Sequence, residues 1–186
     1  IYPTHLSLTE FVVDYDKWCQ VKVDLKDKNI SSIGNYCNFR GSDLLLKAFL
    51  KLEEENPELY LTIVGRKTEY IPEELYKYIP HYIKPGLLEI DYWLNEDYYI
   101  GQEYWKHALI TGRVNNPENY LSGTYINCAR HDSFGINILE AMSAGVPPIV
   151  SECCGAKELL PKELICKCNV NDIIKKYKWL NSDINR

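Results

Sequence analysis

The feature that most limits how this chain can fold is an alternation. Short apolar runs such as Leu61-Thr62-Ile63-Val64 and Pro148-Ile149-Val150 recur between longer segments with helical spacing. A brief, unbroken apolar run fits a strand covered on both faces, and a helical segment between two such runs fits the crossover that parallel strands require. The alternation therefore predicts an α/β domain, a Rossmann-like, doubly wound parallel sheet with helices on both faces. Strands are expected at residues 31–36, 61–65, 108–111, 124–129, 148–151 and 163–166. Residues 43–55 place Leu45, Ala48, Phe49 and Leu52 at i, i+3, i+4 and i+7, a helix that Asn56-Pro57 should stop. Further helices are expected at 136–144, where Gly145 and Pro147 give the stop, and from Asp172, where Ile173, Tyr177 and Leu180 share a face.

Length and charge narrow the function classes. A chain of 186 residues suits one domain, which we read as a linker or N-terminal segment at 1–30 and the Rossmann-like body at 31–186. The net charge of -5 supplies no basic field for a phosphate backbone, so nucleic acid is not an expected partner. No apolar run approaches the roughly 20 residues that span a bilayer, and neither a transmembrane helix nor a signal peptide is expected. Seven cysteines, an odd number, read as reduced packing residues in a cytoplasmic setting, since neither Cys153-Cys154 nor Cys166-x-Cys168 has the C-x2-C spacing of a zinc or redox site. Residues 66–106 form an insertion too long for an ordinary loop, with eight of the fifteen tyrosines plus Trp93 and Trp105. Two short helices at 72–78 and 97–105 burying those aromatics are one reading. An aromatic surface for a partner domain, an acceptor or a membrane is the other.

Ligands of doubly wound sheets bind where strands lead into helices at their carboxyl ends, and two such loops stand out. Gly34-Asn35-Tyr36-Cys37-Asn38-Phe39-Arg40-Gly41 sets a guanidinium just before a helix N-terminus, a combination suited to phosphate, although a solvated surface arginine fits the same residues. Arg130-His131-Asp132-Ser133-Phe134-Gly135-Ile136 leads into a helix that carries Glu140 eight residues after Asp132. The two carboxylates could accept hydrogen bonds from two sets of vicinal hydroxyls, with backbone N–H groups at Phe134-Gly135 between them. Equally, Asp132 could cap the helix and Glu140 could be solvated. Asp14-x-Asp16 reads as surface loop, not a manganese site.

These loops resemble a known family. The run Asp132-Ser133-Phe134-Gly135-x4-Glu140-Ala141-Met142-x2-Gly145-Val146-Pro147, followed by Cys154-Gly155-Ala156-Lys157-Glu158, is similar to the signature of the family 4 (group 1) retaining glycosyltransferases of GT-B fold. Their pattern is Glu-x7-Glu, then E-A-M-A-x-G-x-P, then G-G-x-x-E. Upstream, Gly34 to Gly41 with Asp43-Leu44-Leu45 resembles the G-R-x4-K-G-x-D-x-L loop. Leu61 to Gly65 resembles L-x-I-V-G, and Gly112-Arg113-Val114 resembles a later G-x-V. Together the motifs span about residues 30–160 and match the C-terminal, donor-binding half of such enzymes.

The resemblance implies a hexosyltransferase-like enzyme that takes a nucleotide sugar (a UDP-, GDP- or ADP-sugar) as co-substrate and uses no other cofactor and no metal. It implies that Glu140 holds ribose hydroxyls, that Asp132 holds donor-sugar hydroxyls, and that the backbone of Phe134, Gly135 and Ile136 approaches the sugar and diphosphate. Arg40, in the family's lysine position, would stabilise the leaving diphosphate, with Gly34 and Asn35 beside it and Arg113 and Val114 near the base. Asn35 stands where the family has arginine, Asp132 is one methylene shorter than the family's glutamate, and Arg66-Lys67 replaces a glycine turn and could return positive charge. His131 could touch donor or acceptor. An N-terminal GT-B domain outside this chain would complete the enzyme. The acceptor is a glycan, lipid or protein, and a lipid acceptor would bring peripheral membrane contact. The alternative readings are a non-catalytic interaction module of the same fold, built on the aromatic segment, and an epimerase or phosphorylase, for which no separate motif is present.

Overall fold

The computed structural model describes residues 13–24, 26–65, 107–111 and 114–182. They form a six-stranded, wholly parallel sheet: β1 (Ile30–Ile33), β2 (Leu61–Val64), β3 (Ala108–Ile110), β4 (Thr124–Asn127), β5 (Pro148–Ser151) and β6 (Ile165–Cys166). The spatial order is β3-β2-β1-β4-β5-β6, the dinucleotide-fold order in which the chain winds outward in both directions from a switch point between β1 and β4. Register is in phase across the centre, with Ile30 opposite both Leu61 and Thr124.

Among the described residues, four α-helices accompany the sheet: α1 (Tyr15–Trp18), α2 (Ser42–Glu55), α3 (Ile136–Ser143) and α4 (Val170–Leu180). Because successive side chains of a strand point to opposite faces, the core divides in two. On one face Ile30, Leu61, Ile63, Ile126 and Ile149 pack with Leu45, Phe49 and Leu52 of α2 and with Ile173, Tyr177 and Leu180 of α4. On the other, Tyr125 and Val150 pack with Ile138 and Ala141 of α3 and with Trp18 of α1. Full burial of each large aliphatic or aromatic side chain is worth about 1.5–3 kcal/mol, so both faces contribute substantially to stability. The doubly wound expectation is met.

The boundaries differ from the sequence reading where local chemistry intervenes. β1 begins at Ile30 and ends at Ile33, because the ladder closes with the Gly34 N–H on the Val64 carbonyl (2.8 Å) and the chain then turns into the loop. β6 is shorter than expected because Lys162–Leu164 form a 3-10 turn, in which the Leu164 N–H donates to the Pro161 carbonyl. α4 starts at Val170 rather than Asp172 because the Asn169 side chain caps it, accepting from the Asp172 N–H at 2.9 Å. Part of the stretch assigned to a linker is packed: Trp18 is 3% exposed, and Val13, Val21 and Val23 lie against the second core cluster. Asp14 caps α1 by accepting from the Lys17 N–H. The aromatic insertion and its two expected helices lie outside the described residues. Among the described residues, no helix is long and apolar enough to cross a membrane.

Candidate donor site

The site is built where β1 and β4 diverge. Each strand feeds a loop that ends in a glycine of left-handed conformation and then a helix. Gly41 (φ +69°) precedes α2, and Gly135 (φ +87°) precedes α3. Both positions require glycine for space as well as for φ. A Cβ on Gly41 would lie 2.0 Å from the Cys128 carbonyl oxygen, and one on Gly135 would lie 2.6 Å from Ile138 Cδ1 and 2.7 Å from Cys154 Sγ. The N-cap glycines bring no capping side chain; α2 instead carries Asp43 in its first turn, with its carboxyl near the Asp43 and Leu44 amides, and the partial positive charge of a helix start favours an anion at such a loop.

Arg40 and Asp132, singled out separately in the sequence, meet across this cleft. One Arg40 guanidinium nitrogen contacts Asp132 Oδ2. Asp132 is therefore not the cap of α3. The same carboxylate oxygen is approached by Asn127 Nδ2 at 3.4 Å, which also lies 3.5 Å from Asn137 Oδ1. Asn137 Nδ2 donates to the Ile33 carbonyl at 2.6 Å and ties the start of α3 to the end of β1. Beneath them lies Tyr125, fully buried, its hydroxyl donating to the same carbonyl at 3.4 Å. Burial holds the Tyr125 phenol far above its ordinary value. The charges of Glu140 and Asp132 push it further up, while the Ile33 carbonyl bond and the Arg40 charge oppose them.

Glu140 is half-buried on α3 rather than solvated. Burial raises its carboxyl above the ordinary range, with Lys17 opposing and Glu118 adding to the shift. Lys17 and Glu118 are themselves paired at 3.0 Å, so α1 and the turn at Pro117–Tyr120 form the wall near Glu140. Val114 is half-buried at the entry to that turn, while Arg66, Gly112 and Arg113 lie outside the described residues. Asn35 is exposed on the first loop, and its carbonyl accepts from Ser42 Oγ at 3.4 Å. His131 is exposed and meets Phe39 edge to face, ring centroids 5.7 Å apart, at the rim of the cleft. Phe134 is half-buried, and its carbonyl accepts from Cys154 Sγ and from the Ala156 N–H. Ile136 opens α3 with an exposed side chain.

The loop reading missed the contact that holds the two loops together. Arg130 forks onto Asp43, Nη1 to Oδ1 at 2.6 Å and Nη2 to Oδ2 at 2.8 Å. It also donates to the Asn38 carbonyl, while its own N–H donates to the Phe39 carbonyl. Burial works against the Asp43 charge, but the hydrogen bonds and charge of Arg130, together with the backbone N–H groups of Asp43 and Leu44, outweigh it and hold the carboxyl below its ordinary value. Asp43 was visible as part of the loop motif. Nothing local pairs it with a residue 87 positions away. Among the described residues, no group of three or more His, Cys, Asp or Glu side chains could hold a metal ion.

Comparison with known proteins accords with this architecture. Residues 27–183 match the model of the family described as glycosyl transferases group 1, and the chain belongs to that family. An uncharacterized glycosyltransferase of Haemophilus influenzae is 28% identical over 165 residues, covering 87% of this chain and 40% of that protein. The chain thus spans less than half the length of this curated relative. Among solved structures, it resembles the C-terminal domain of the Francisella tularensis group 1 glycosyl transferase LpcC, with a TM-score of 0.59 and 15% identity, covering 91% of this chain and 83% of that domain. It is also similar to Anabaena HepE, solved with UDP and glucose, with a TM-score of 0.58 and 16% identity, covering 86% of this chain and 40% of that one. At these identities the structural likeness establishes the fold: the six-stranded parallel sheet is that of a GT-B C-terminal domain.

Proposed function

We propose that this domain of a group 1 glycosyltransferase binds a nucleotide-diphosphate sugar at the β1/β4 switch point. It then supplies the donor half of a retaining, metal-independent glycosyl transfer. The observation that carries this reading is the meeting of Arg40 and Asp132 between two uncapped helix N-termini. A cation, two sets of oriented amides and a carboxylate are what a diphosphate joined to a polyol needs at its two ends.

In the free protein the Arg40 guanidinium and the Asp132 carboxylate neutralise each other. A bound donor replaces that contact with two others: the diphosphate oxygens take Arg40, and the sugar hydroxyls donate to Asp132. Glu140 accepts from the ribose hydroxyls, and burial of its carboxylate makes such donors more valuable. Breaking the bond from the sugar to the diphosphate places negative charge on the departing phosphate. Arg40 and the helix termini then stabilise that charge without reorganising, and no metal is called on. The acceptor and its hydroxyl are met by an N-terminal domain outside this chain. That partition agrees with the share of its curated relative that the chain spans. Such an enzyme would work in the cytoplasm, at the membrane surface if its acceptor is a lipid.

The test is calorimetric titration of the purified chain with UDP, GDP, ADP and their glucose or mannose derivatives. We start from UDP-glucose because the similar HepE was solved with UDP and glucose. Saturable binding of one base is expected. Glu140→Ala should weaken the free nucleotide and the sugar nucleotide alike by about tenfold, a difference of roughly 1.4 kcal/mol. Asp132→Ala should weaken only the sugar nucleotide. Wild-type affinity in both variants overturns the assignment, and the absence of binding by every nucleotide favours a non-catalytic interaction module.

A further inference from the structure

We propose that Cys153 and Cys168 form an oxidisable pair that closes to a disulfide across the β5/β6 edge, immediately behind the donor loop. Strands β5 and β6 pair in parallel with an offset of 15 residues, Val150 opposite Ile165 and Ser151 opposite Cys166. The Glu152 N–H continues the ladder to the Cys166 carbonyl at 2.8 Å. Past the ends of both strands the chain brings Cys153 and Cys168 together, their sulfurs 3.5 Å apart. Closing the remaining gap takes about 1.5 Å of sulfur movement toward the usual bond length. Cys153 is exposed and Cys168 is half-buried, so side-chain rotation at Cys153 supplies that movement.

The other cysteines near the site are placed differently. Cys154 points inward and donates to the Phe134 carbonyl at 3.1 Å, and Cys128 is buried with its thiol on the Gly41 carbonyl. The pair, by contrast, is coupled to the site from outside. The Cys153 carbonyl accepts from the Asp132 N–H at 3.2 Å, and Cys168 Sγ lies 3.5 Å from the Ala129 carbonyl in the same β4 loop. A bond between the sulfurs ties the backbone behind Asp132 to the sheet edge.

The chemistry balances with a peroxide as oxidant. The exposed Cys153 thiolate attacks hydrogen peroxide, the O–O bond breaks, and Cys153 becomes a sulfenic acid with release of water. The Cys168 thiolate then attacks that sulfur, the S–S bond forms, the S–O bond breaks, and a second water leaves. Two thiols lose two protons and two electrons, and these reduce the peroxide to two waters. Burial pushes the Cys168 thiol up, with the neighbouring Cys153 sulfur adding to it. The exposed Cys153 is the sulfur that the peroxide reaches first, which leaves the half-buried Cys168 as the resolving partner.

Peptide mapping tests the proposal. Trypsin places Cys153 and Cys154 on the peptide His131–Lys157, Cys166 on Glu163–Lys167, and Cys168 on Cys168–Lys175. After brief exposure of the folded chain to a slight excess of hydrogen peroxide and blocking of free thiols, one cross-linked species joining His131–Lys157 to Cys168–Lys175 is expected. It should revert on reduction and be lost in Cys153→Ser. The proposal is overturned if the native chain shows no such species, whether its thiols remain free or Cys153 is oxidised alone. Persistence of the cross-link in Cys153→Ser, which would assign it to Cys154, overturns it as well.

Discussion

The two helices that follow the loops of Arg40 and Asp132 and the other two helices described are begun by different chemistry. The wall helix α1 and the outer helix α4 open on Asp14 and Asn169, whose side chains accept from the Lys17 and Asp172 amides. At the cleft, α2 and α3 open on Gly41 and Gly135 with no capping side chain. A cap is worth about 1 kcal/mol to a helix, a stabilisation that the glycine N-cap residues of α2 and α3 do not supply. What they keep is a direct start from the two loops that bring Arg40 and Asp132 into contact. The difference teaches that a helix start can be settled by a side-chain cap or by a glycine whose backbone conformation turns the loop into the helix.

The most disruptive way to break this contrast is Gly41→Ala. The new Cβ meets the Cys128 carbonyl oxygen at 2.0 Å, and the left-handed backbone adds its own penalty. A loss of roughly 3 kcal/mol or more is expected, read as a lowered urea midpoint, and nucleotide binding should vanish with it. A milder pair of variants sharpens the contrast. Arg40→Ala should lower diphosphate affinity about tenfold, roughly 1.4 kcal/mol, with partial rescue by Arg40→Lys because the charge returns without the planar fork. Asn169→Ala should cost about 1 kcal/mol of stability, or about 2–4 °C in Tm, and leave affinity unchanged. Equal effects of the two alanine variants on binding would show that the capped and uncapped helices do not differ in role.

The smallest effect concerns Glu140, whose carboxyl is held above its ordinary value mainly by burial. A raised carboxyl means the folded state binds the proton more tightly than the unfolded chain does. The charge therefore costs stability as pH rises from the unfolded value, near 4.3, through the higher folded value. At pH 7 Glu140→Gln should raise Tm by about 1 °C while weakening nucleotide binding, and the gain should disappear below about pH 4. A loss of stability at pH 7 instead would mean that the carboxylate has a structural partner in the free protein.

Much of the fold was legible in the sequence because its signals are local. The apolar runs at 61–64 and 148–151 could not be solvated, and the spacing of Leu45, Phe49 and Leu52 admits one buried helix face. Gly41 and Gly135 marked the helix starts for the same reason, since positive φ is a property of the residue itself. The losses were also local in origin. The Asn169 cap moved a helix start, and the 3-10 turn at Lys162–Leu164 shortened a strand, because side-chain caps and tight turns compete with the ladder over two or three residues.

The site divides along the same line. From residue types and spacing alone come the sheet, the crossover helices, the glycine turns, and the two loops that carry Arg40, Asp132 and Glu140. Only the tertiary structure decided that Asp132 answers Arg40 rather than capping α3, that Arg130 forks onto Asp43, that α1 walls Glu140, and that Cys153 stands beside Cys168. The physical reason is range. Backbone preference and hydrophobic period act over a few residues, whereas each of these contacts joins positions 15 or more apart, which are neighbours only because parallel strands in a given order bring their carboxyl ends together.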